Sequence, residues 1–214
     1  MSNTTEPPPA RGLGLGLGLI LISALLIGTA SYRYLIPGNF GLAPPILANR
    51  FTHMGVLTIH AGFAATALIL GPFQFMRGLR DRFRSLHRTL GKLYVLCCIA
   101  AGLAGLILAF GATTGPISTA GFGTLAVLWL VTTGQAWRLA MTRKFTDHER
   151  WMIRSFALTF AAVTLRLYLP FAFVSPLSYD DTYRAISFLC WVPNLIGAEI
   201  FLATRRSISN PGLG

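Results

Sequence analysis

Charged side chains are scarce in this sequence. Asp, Glu, Lys and Arg together make up 12% of the 214 residues, which is about half of their share in an average soluble domain. Hydrophobic residues make up 53% of the chain, and the mean hydropathy is +0.59. This composition excludes a soluble Rossmann or barrel enzyme, an intrinsically disordered chain and a disulfide-stapled secreted module. It favours a membrane protein.

Cysteine is rare, and the familiar catalytic motifs are missing. The three cysteines, Cys97, Cys98 and Cys190, form no CxxC spacing, so thiol redox chemistry is disfavoured and buried free thiols are expected. The sequence contains no P-loop, nucleophile elbow, HExxH motif or paired-carboxylate constellation. Catalysis of the kind found in soluble enzymes is therefore disfavoured, and no catalytic residue is predicted.

Long apolar runs dominate instead. A bilayer is crossed by about 20 apolar residues in a helix, and six windows of that length predict an all-α integral membrane protein with a bundle of six transmembrane helices. Residues 1–12 are expected to be a short disordered cytoplasmic N-terminus, 13–204 a single transmembrane domain and 205–214 a short cytoplasmic tail. The predicted spans are Leu13–Tyr32, His53–Phe75, Leu90–Ala112, Gly121–Trp137, Trp151–Val174 and Ala185–Thr204.

The net charge of +11 comes from cations that are gathered between the apolar runs. If the N-terminus is cytoplasmic, 12 of the 18 Lys and Arg residues fall on the cytoplasmic side and only Arg33, Arg50 and Arg184 on the other. This asymmetry predicts that both termini face the cytoplasm. It also argues against nucleic-acid binding, because no basic and aromatic module remains once the spans are removed.

All four histidines lie on stripes of small and polar residues, which normally mark the packed face of a membrane helix. His53 and His60 share the second predicted span with Gln74, His87 begins the third, and His148 begins the fifth. Imidazoles at helix ends cost little. His60 lies two turns inside the membrane, where polar side chains are expensive and usually functional.

One polar cluster is predicted near the cytoplasmic ends of the helices. His87 and His148 share one level on separate helices, and Glu199 approaches that level from the sixth span. A buried carboxylate needs a partner. Arg154 or Lys92 is predicted to be the partner of Glu199.

A second polar cluster is predicted in the other leaflet. At about 1.5 Å per residue, Arg166 lies roughly 24 Å beyond Arg150 and near the depth of His60. An intramembrane cation must be paired. The longest predicted external loop, about Arg33–Phe51, is rich in Pro and Gly and is expected to shape a lid over this cluster.

Three groups of motifs are similar to those of a known family: His60–Phe63 with Gly71–Phe75, His87–Tyr94, and His148–Ser155 with Leu165–Leu167. Over roughly residues 50–205, the chain resembles the predicted bacterial membrane proteins grouped as domain of unknown function 2306. The resemblance implies a multi-pass protein of the bacterial cytoplasmic membrane, and it marks His60, His87, His148 and Arg166 as motif positions without giving them a role.

A haem protein is the function that the histidines favour. Two imidazoles on facing helices can ligate a flat haem, and nearby cations can hold its propionates. His87 and His148, with Arg88 and Arg154, fit one b-type haem, and no other cofactor is expected. Such a protein would transfer electrons, with a quinone or a respiratory-chain protein as partner. Any catalysis would be that of a membrane oxidoreductase.

Two alternatives belong to other functional classes. The chain could be a non-catalytic carrier or assembly factor that handles a metal, a lipid-like molecule or a nascent oxidase subunit. For a metal, His60, His87 and His148 are the candidate ligands, because neutral imidazole suits copper, zinc and iron. A small transporter with a proton relay built from Glu199, His87 and His148 is less favoured, since only prolines in the last two spans suggest the broken helices that transporters use. In the plainest alternative the histidines only fix helix packing.

The predicted orientation can be tested with reporter fusions. We expect green fluorescent protein fused to the C-terminus to fluoresce and alkaline phosphatase fused there to be inactive, because the cations retain that end in the cytoplasm. Fusions placed after Leu177, in the loop before the sixth span, serve as the control and should give the opposite pattern. Active phosphatase at the C-terminus would contradict the six-span topology.

Overall fold

The computed structural model describes residues 11–36, 49 and 55–209, with side chains for 16–36, 49 and 55–205. The described residues are almost entirely helical and contain no strand. A 3-10 turn, Tyr32–Leu35, follows the first helix. The α-helices are α1 (Arg11–Ser31), α2 (Val56–Gln74), α3 (Arg77–Arg82), α4 (Arg84–Phe110), α5 (Pro116–Met141), α6 (Phe145–Thr159), α7 (Ala161–Tyr168), α8 (Phe171–Val174), α9 (Tyr179–Leu189) and α10 (Val192–Ser209).

Six helical stretches are long and apolar enough to cross a membrane, which confirms the predicted fold class. Helices α6, α7 and α8 together form the fifth stretch, and α9 and α10 form the sixth. Helix α4 begins at Arg84, six residues before the predicted start at Leu90. Long basic side chains explain the difference, because they can cover apolar surface while their charged groups reach water.

Basic side chains gather at one end of the bundle, where α2 and α5 end and α4 and α6 begin. We call it the basic end and define it by Arg80, Arg84, Arg143, Arg150 and Arg205. Ion pairs join its elements, since Glu149 lies 3.5 Å from Arg80 and 2.7 Å from Arg205. The assignment of this end to the cytoplasm stays a prediction.

Neighbours in the bundle follow the chain order. Helix α2 packs mainly against α4, α4 also against α5, α5 against α6, and α10 closes against α6. Small residues allow the close approaches, as expected for membrane helices. At Gly71 a Cβ atom would collide with the ring of Phe156 and approach Tyr94 at 3.4 Å, so α2 can reach the other two helices only with glycine there.

Hydroxyl groups join α4, α5 and α6 in the middle of the bundle. The Tyr94 hydroxyl lies 2.9 Å from both Ser155 Oγ and Thr159 Oγ1. From α5, the Trp129 indole N–H donates to Thr159 Oγ1 over 2.9 Å, and Thr133 Oγ1 lies 2.7 Å from Ser155 Oγ. We call these five residues the Tyr94 network. All five are less than a tenth exposed.

The proton positions in the Tyr94 network follow from two groups that cannot reverse their roles. Thr159 Oγ1 donates to the Ser155 carbonyl over 2.9 Å, and the Trp129 indole can only donate. Tyr94 must therefore donate to Thr159. Its oxygen then accepts from Ser155 Oγ, which in turn accepts from Thr133. Each hydroxyl donates once, so the network is complete.

The last two spans are interrupted near the membrane midplane, more extensively than their prolines indicate. Helix α6 ends at Thr159 and α7 begins at Ala161. Helix α9 ends at Leu189 and α10 begins at Val192, next to Pro193, which has no N–H to donate. The side chain of Asn194 donates to the carbonyls of Cys190 and Ala157 over 3.1 and 3.3 Å. Thr164 Oγ1 also donates to the Cys190 carbonyl. The two interruptions thus satisfy each other's backbone groups, as a bilayer requires.

We expect Tyr94→Phe to lower the free energy of unfolding by about 1 kcal/mol, because it leaves a buried serine hydroxyl without its acceptor. Unfolding in mixed micelles by titration with dodecyl sulfate measures the change. Tyr168→Phe is the matched control, since within the described chain the Tyr168 hydroxyl makes no hydrogen bond. Equal losses for both variants would contradict the role given to the network.

Candidate functional site

A cavity of about 230 Å³ lies between the helices, in the half of the bundle away from the basic end. It extends from Trp129 and Thr159, near the middle of their spans, to Asn49 and Thr114 at the opposite end. Its volume is roughly fifteen times what one water molecule requires. The walls come from α1, α2, α4, α5, α6, α7 and α9 and consist mainly of Ala, Leu and Gly.

His60 lines this cavity from α2. Its Nδ1 lies 2.9 Å from the Ala101 carbonyl of α4, and since a carbonyl only accepts, Nδ1 carries the proton. In the neutral ring Nε2 is then an acceptor, and it makes no hydrogen bond to any described residue. Gly105 makes room for the ring, because a Cβ there would stand 3.0 Å from two of its atoms. Nδ1 thus holds the imidazole in place, and Nε2 can accept a hydrogen bond from a molecule in the cavity.

Arg166 lines the same cavity from α7. Its Nη1 donates to the Ala162 carbonyl over 2.7 Å and its Nη2 to Ser31 Oγ over 2.8 Å. The guanidinium carbon lies 5.8 Å from the centre of the Tyr34 ring. These neighbours are all neutral. Arg166 and His60, which were predicted to belong to one polar cluster, line the same cavity.

Six hydroxyl- or amide-bearing residues of the cavity were not predicted from the sequence: Ser31, Tyr34, Asn49, Thr113, Thr114 and Tyr183. They lie at or beyond the ends of apolar runs, where polar residues are common, so hydropathy contains no signal for them. Asn49 is 8% exposed and donates to the Leu108 carbonyl over 2.7 Å. It belongs to the stretch predicted to form a lid, most of which lies outside the described residues.

The two histidines at the basic end lie close together. His148 Nδ1 donates to the Ala136 carbonyl over 2.8 Å, which makes Nε2 the acceptor of its neutral ring. His87 Nδ1 is buried and has no hydrogen-bond partner in the described part of the chain. The His148 ring, Arg80 and Arg88 are all near enough to act on the charge of His87. Three of the four residues predicted to hold a haem are therefore neighbours.

Arg154, the fourth predicted haem residue, is already engaged. Its Nε and Nη2 donate to the two carboxylate oxygens of Glu199 over 2.5 and 2.8 Å, which confirms the predicted partner of Glu199. Its guanidinium carbon also lies 4.9 Å from the centre of the Trp151 ring. A guanidinium held in this way has fewer donors left for a propionate.

Gln74, the remaining predicted polar residue, is 7% exposed in the last turn of α2. A Cβ on Gly91 would stand 3.1 Å from its side-chain oxygen. The amide nitrogen has no hydrogen-bond partner among the described residues. Leaving such a group unpaired costs about 1–3 kcal/mol. With the unpaired nitrogen of His87 one turn before Gly91, this stretch of α4 has two unmet polar groups close to it.

The predicted metal ligands do not come together as one site. The His60 ring lies against Ala101, which is 14 residues beyond His87 on α4, or about 21 Å along the helix. No group of three or more His, Cys, Asp or Glu side chains that could hold a metal occurs among the described residues. His53 lies outside them. All three cysteines are free and buried.

Residues 57–202 match the model of a family described as predicted membrane protein, domain of unknown function 2306 (DUF2306). The match covers more than half of the chain and includes His60, His87, His148 and Arg166. It confirms the resemblance identified from the sequence. No curated protein and no solved structure is significantly similar to the chain.

Proposed function

This chain belongs to the DUF2306 family of predicted membrane proteins, and we propose that it binds a lipid-like molecule inside the membrane as a non-catalytic carrier. The observation that supports this function best is the apolar cavity that contains His60 and Arg166. The proposal favours the lipid carrier over the haem protein.

The size of the cavity indicates an occupant. Protein interiors are normally close-packed, and an engineered apolar cavity of about 150 Å³ already binds benzene. The cavity of this bundle is larger, at about 230 Å³, and is partly open to the outside. Walls of alanine, leucine and glycine suit a hydrocarbon chain, which the bilayer supplies.

The polar groups of the cavity indicate that the occupant has a polar end. His60 Nε2 can accept a hydrogen bond, and the Arg166 guanidinium can donate several. Few, well-placed polar groups in an apolar cavity are typical of ligand sites, where they fix orientation. The described residues of the lining include no carboxylate, so the acid–base carboxylate pairs of many enzymes have no counterpart among them. This arrangement suits binding better than catalysis.

Filling the cavity should release the ligand. Ala64 lines the cavity and retains exposed surface, so we expect Ala64→Phe to place its ring where the ligand lies. Native mass spectrometry of the purified protein should show a bound lipid-like species in the wild type, reduced at least about tenfold in the variant. Ala120→Phe, on an exposed position of α5, is the matched control. Retention of the same species by Ala64→Phe, or none in the wild type, would contradict the proposal.

A haem b at the basic end is the second candidate, and it would make the chain an electron-transfer protein. Its support is the pair of neighbouring imidazoles, each with a nitrogen that makes no hydrogen bond among the described residues. Against it, Arg154 already pairs with Glu199, and the 230 Å³ cavity is lined by neither His87 nor His148. If a haem bound here, these two imidazoles would be its ligands and it would supply the redox chemistry.

An absorption spectrum decides between the two candidates. If haem binds, protein from haem-replete cells should show a Soret peak and, after dithionite, α and β bands. These bands should be lost in His87→Ala and His148→Ala. His60→Ala should retain them, because the Ala101 carbonyl that the His60 ring contacts lies about 21 Å from His87 along α4. We expect the spectrum to be featureless, and a histidine-dependent Soret peak would overturn that expectation.

A further inference from the structure

We infer that the ligand of the cavity is a long-chain amphiphile with an oxyanion headgroup, a carboxylate or a phosphate, that pairs with Arg166. The inference rests on the proposed function and adds the chemical class of the ligand. It depends on a comparison of Arg154 and Arg166, the two arginines that lie within the spans predicted from the sequence.

The chain neutralises one of these two arginines itself. Arg154 is 16% exposed and shares two hydrogen bonds with the Glu199 carboxylate. A guanidinium and a carboxylate in this bidentate geometry form one of the stronger polar contacts in proteins. The other arginine, Arg166, meets a backbone carbonyl, a serine hydroxyl and a tyrosine ring. Neutral groups of this kind orient a guanidinium but do not cancel its charge.

The chain has few carboxylates with which to neutralise Arg166. It contains seven acidic residues, and five of them pair with arginines other than Arg166 in the described structure. Asp180 is exposed at the start of α9. Glu6, the seventh, lies outside the described residues, and the other undescribed segments, 37–48, 50–54 and 210–214, contain neither Asp nor Glu. The counter-ion of a cation at this depth is therefore expected to come from the ligand.

The volume of the cavity limits how much of the ligand it can hold. A cavity of 230 Å³ exceeds the roughly 150 Å³ that takes up benzene, so it holds a headgroup and a short part of a chain. The remainder of a long chain would extend into the surrounding acyl chains. Arg166 has five N–H groups, and hydrogen bonds to Ala162 and Ser31 use two of them. The remaining donors can meet the oxygens of the headgroup.

Matched probes test the inference. Radiolabelled palmitate, palmitoyl lysophosphatidate and hexadecanol share a chain length and differ in headgroup charge. Their binding is measured to the full chain in nanodiscs of phosphatidylcholine. We expect at least one anionic probe to bind about tenfold more tightly than hexadecanol, as a charge-assisted contact in a dry site should. The probe that shows the preference identifies the headgroup.

Variants of Arg166 test whether this residue causes the preference for anionic probes over hexadecanol. Arg166→Gln should abolish it while leaving the affinity for hexadecanol unchanged, and Arg166→Lys should retain part of it. Arg138→Gln, which removes an exposed arginine of α5, is the control and should bind like the wild type. If Arg166→Gln fails to fold, the wild type and Arg166→Lys still provide the comparison.

Two outcomes overturn the inference in distinguishable ways. If all three probes bind the wild type equally and Ala64→Phe abolishes that binding, the cavity holds a lipid and the headgroup assignment fails alone. If no probe binds and no lipid-like species is retained on purification, the proposed function fails as well.

Discussion

Inside a bilayer a hydroxyl group has no water to bond with, and the centre of this bundle is built around that constraint. Tyr94 lies where α4, α5 and α6 meet, and every hydroxyl of its network has a defined donor and acceptor role. A complete network of this kind specifies one arrangement of the helices, because any shift would strand a buried polar group. Thr159 belongs to the network and also to the floor of the cavity. The site therefore rests on the most constrained part of the structure.

The same constraint shows where the chain leaves polar groups unmet. In the middle, the interruptions of the last two spans are satisfied by Asn194 and Thr164. Towards the two ends, satisfaction is incomplete among the described residues. His60 Nε2 makes no hydrogen bond, and Gln74 Nε2 and His87 Nδ1 are buried without partners. Unmet groups in an otherwise satisfied interior mark places where a ligand or water is expected, and the site at His60 lies in a cavity of 230 Å³.

Features set by the bilayer could be predicted from the sequence, whereas those set by contacts between helices could not. Bilayer thickness dictates the length of a span, so six apolar runs were enough to predict six spans. The cost of a charge within a span likewise predicted that Glu199 would pair with Arg154 or Lys92. Arg154 is its partner, although the Glu199 side chain is 49% exposed and not buried as expected. The cavity left no such signal. The volume of the cavity depends on which small residues face one another across helices. A stripe that contains Ala64 and Gly71 has the same sequence pattern whether its residues pack against another helix or line a cavity.

The position of His60 argues against a role in packing alone. The hydrogen bond to the Ala101 carbonyl needs a single donor, and Asn194 shows that this chain can meet a freed carbonyl with a smaller amide. An imidazole brings a second nitrogen, which lies in the membrane without a partner among the described residues. The ring also packs closely against Gly105, since a Cβ there would stand 3.0 Å from two ring atoms. A histidine that is packed this closely and leaves Nε2 unused beside a cavity is better explained by ligand binding. In that explanation, Nε2 accepts a hydrogen bond from the molecule in the cavity.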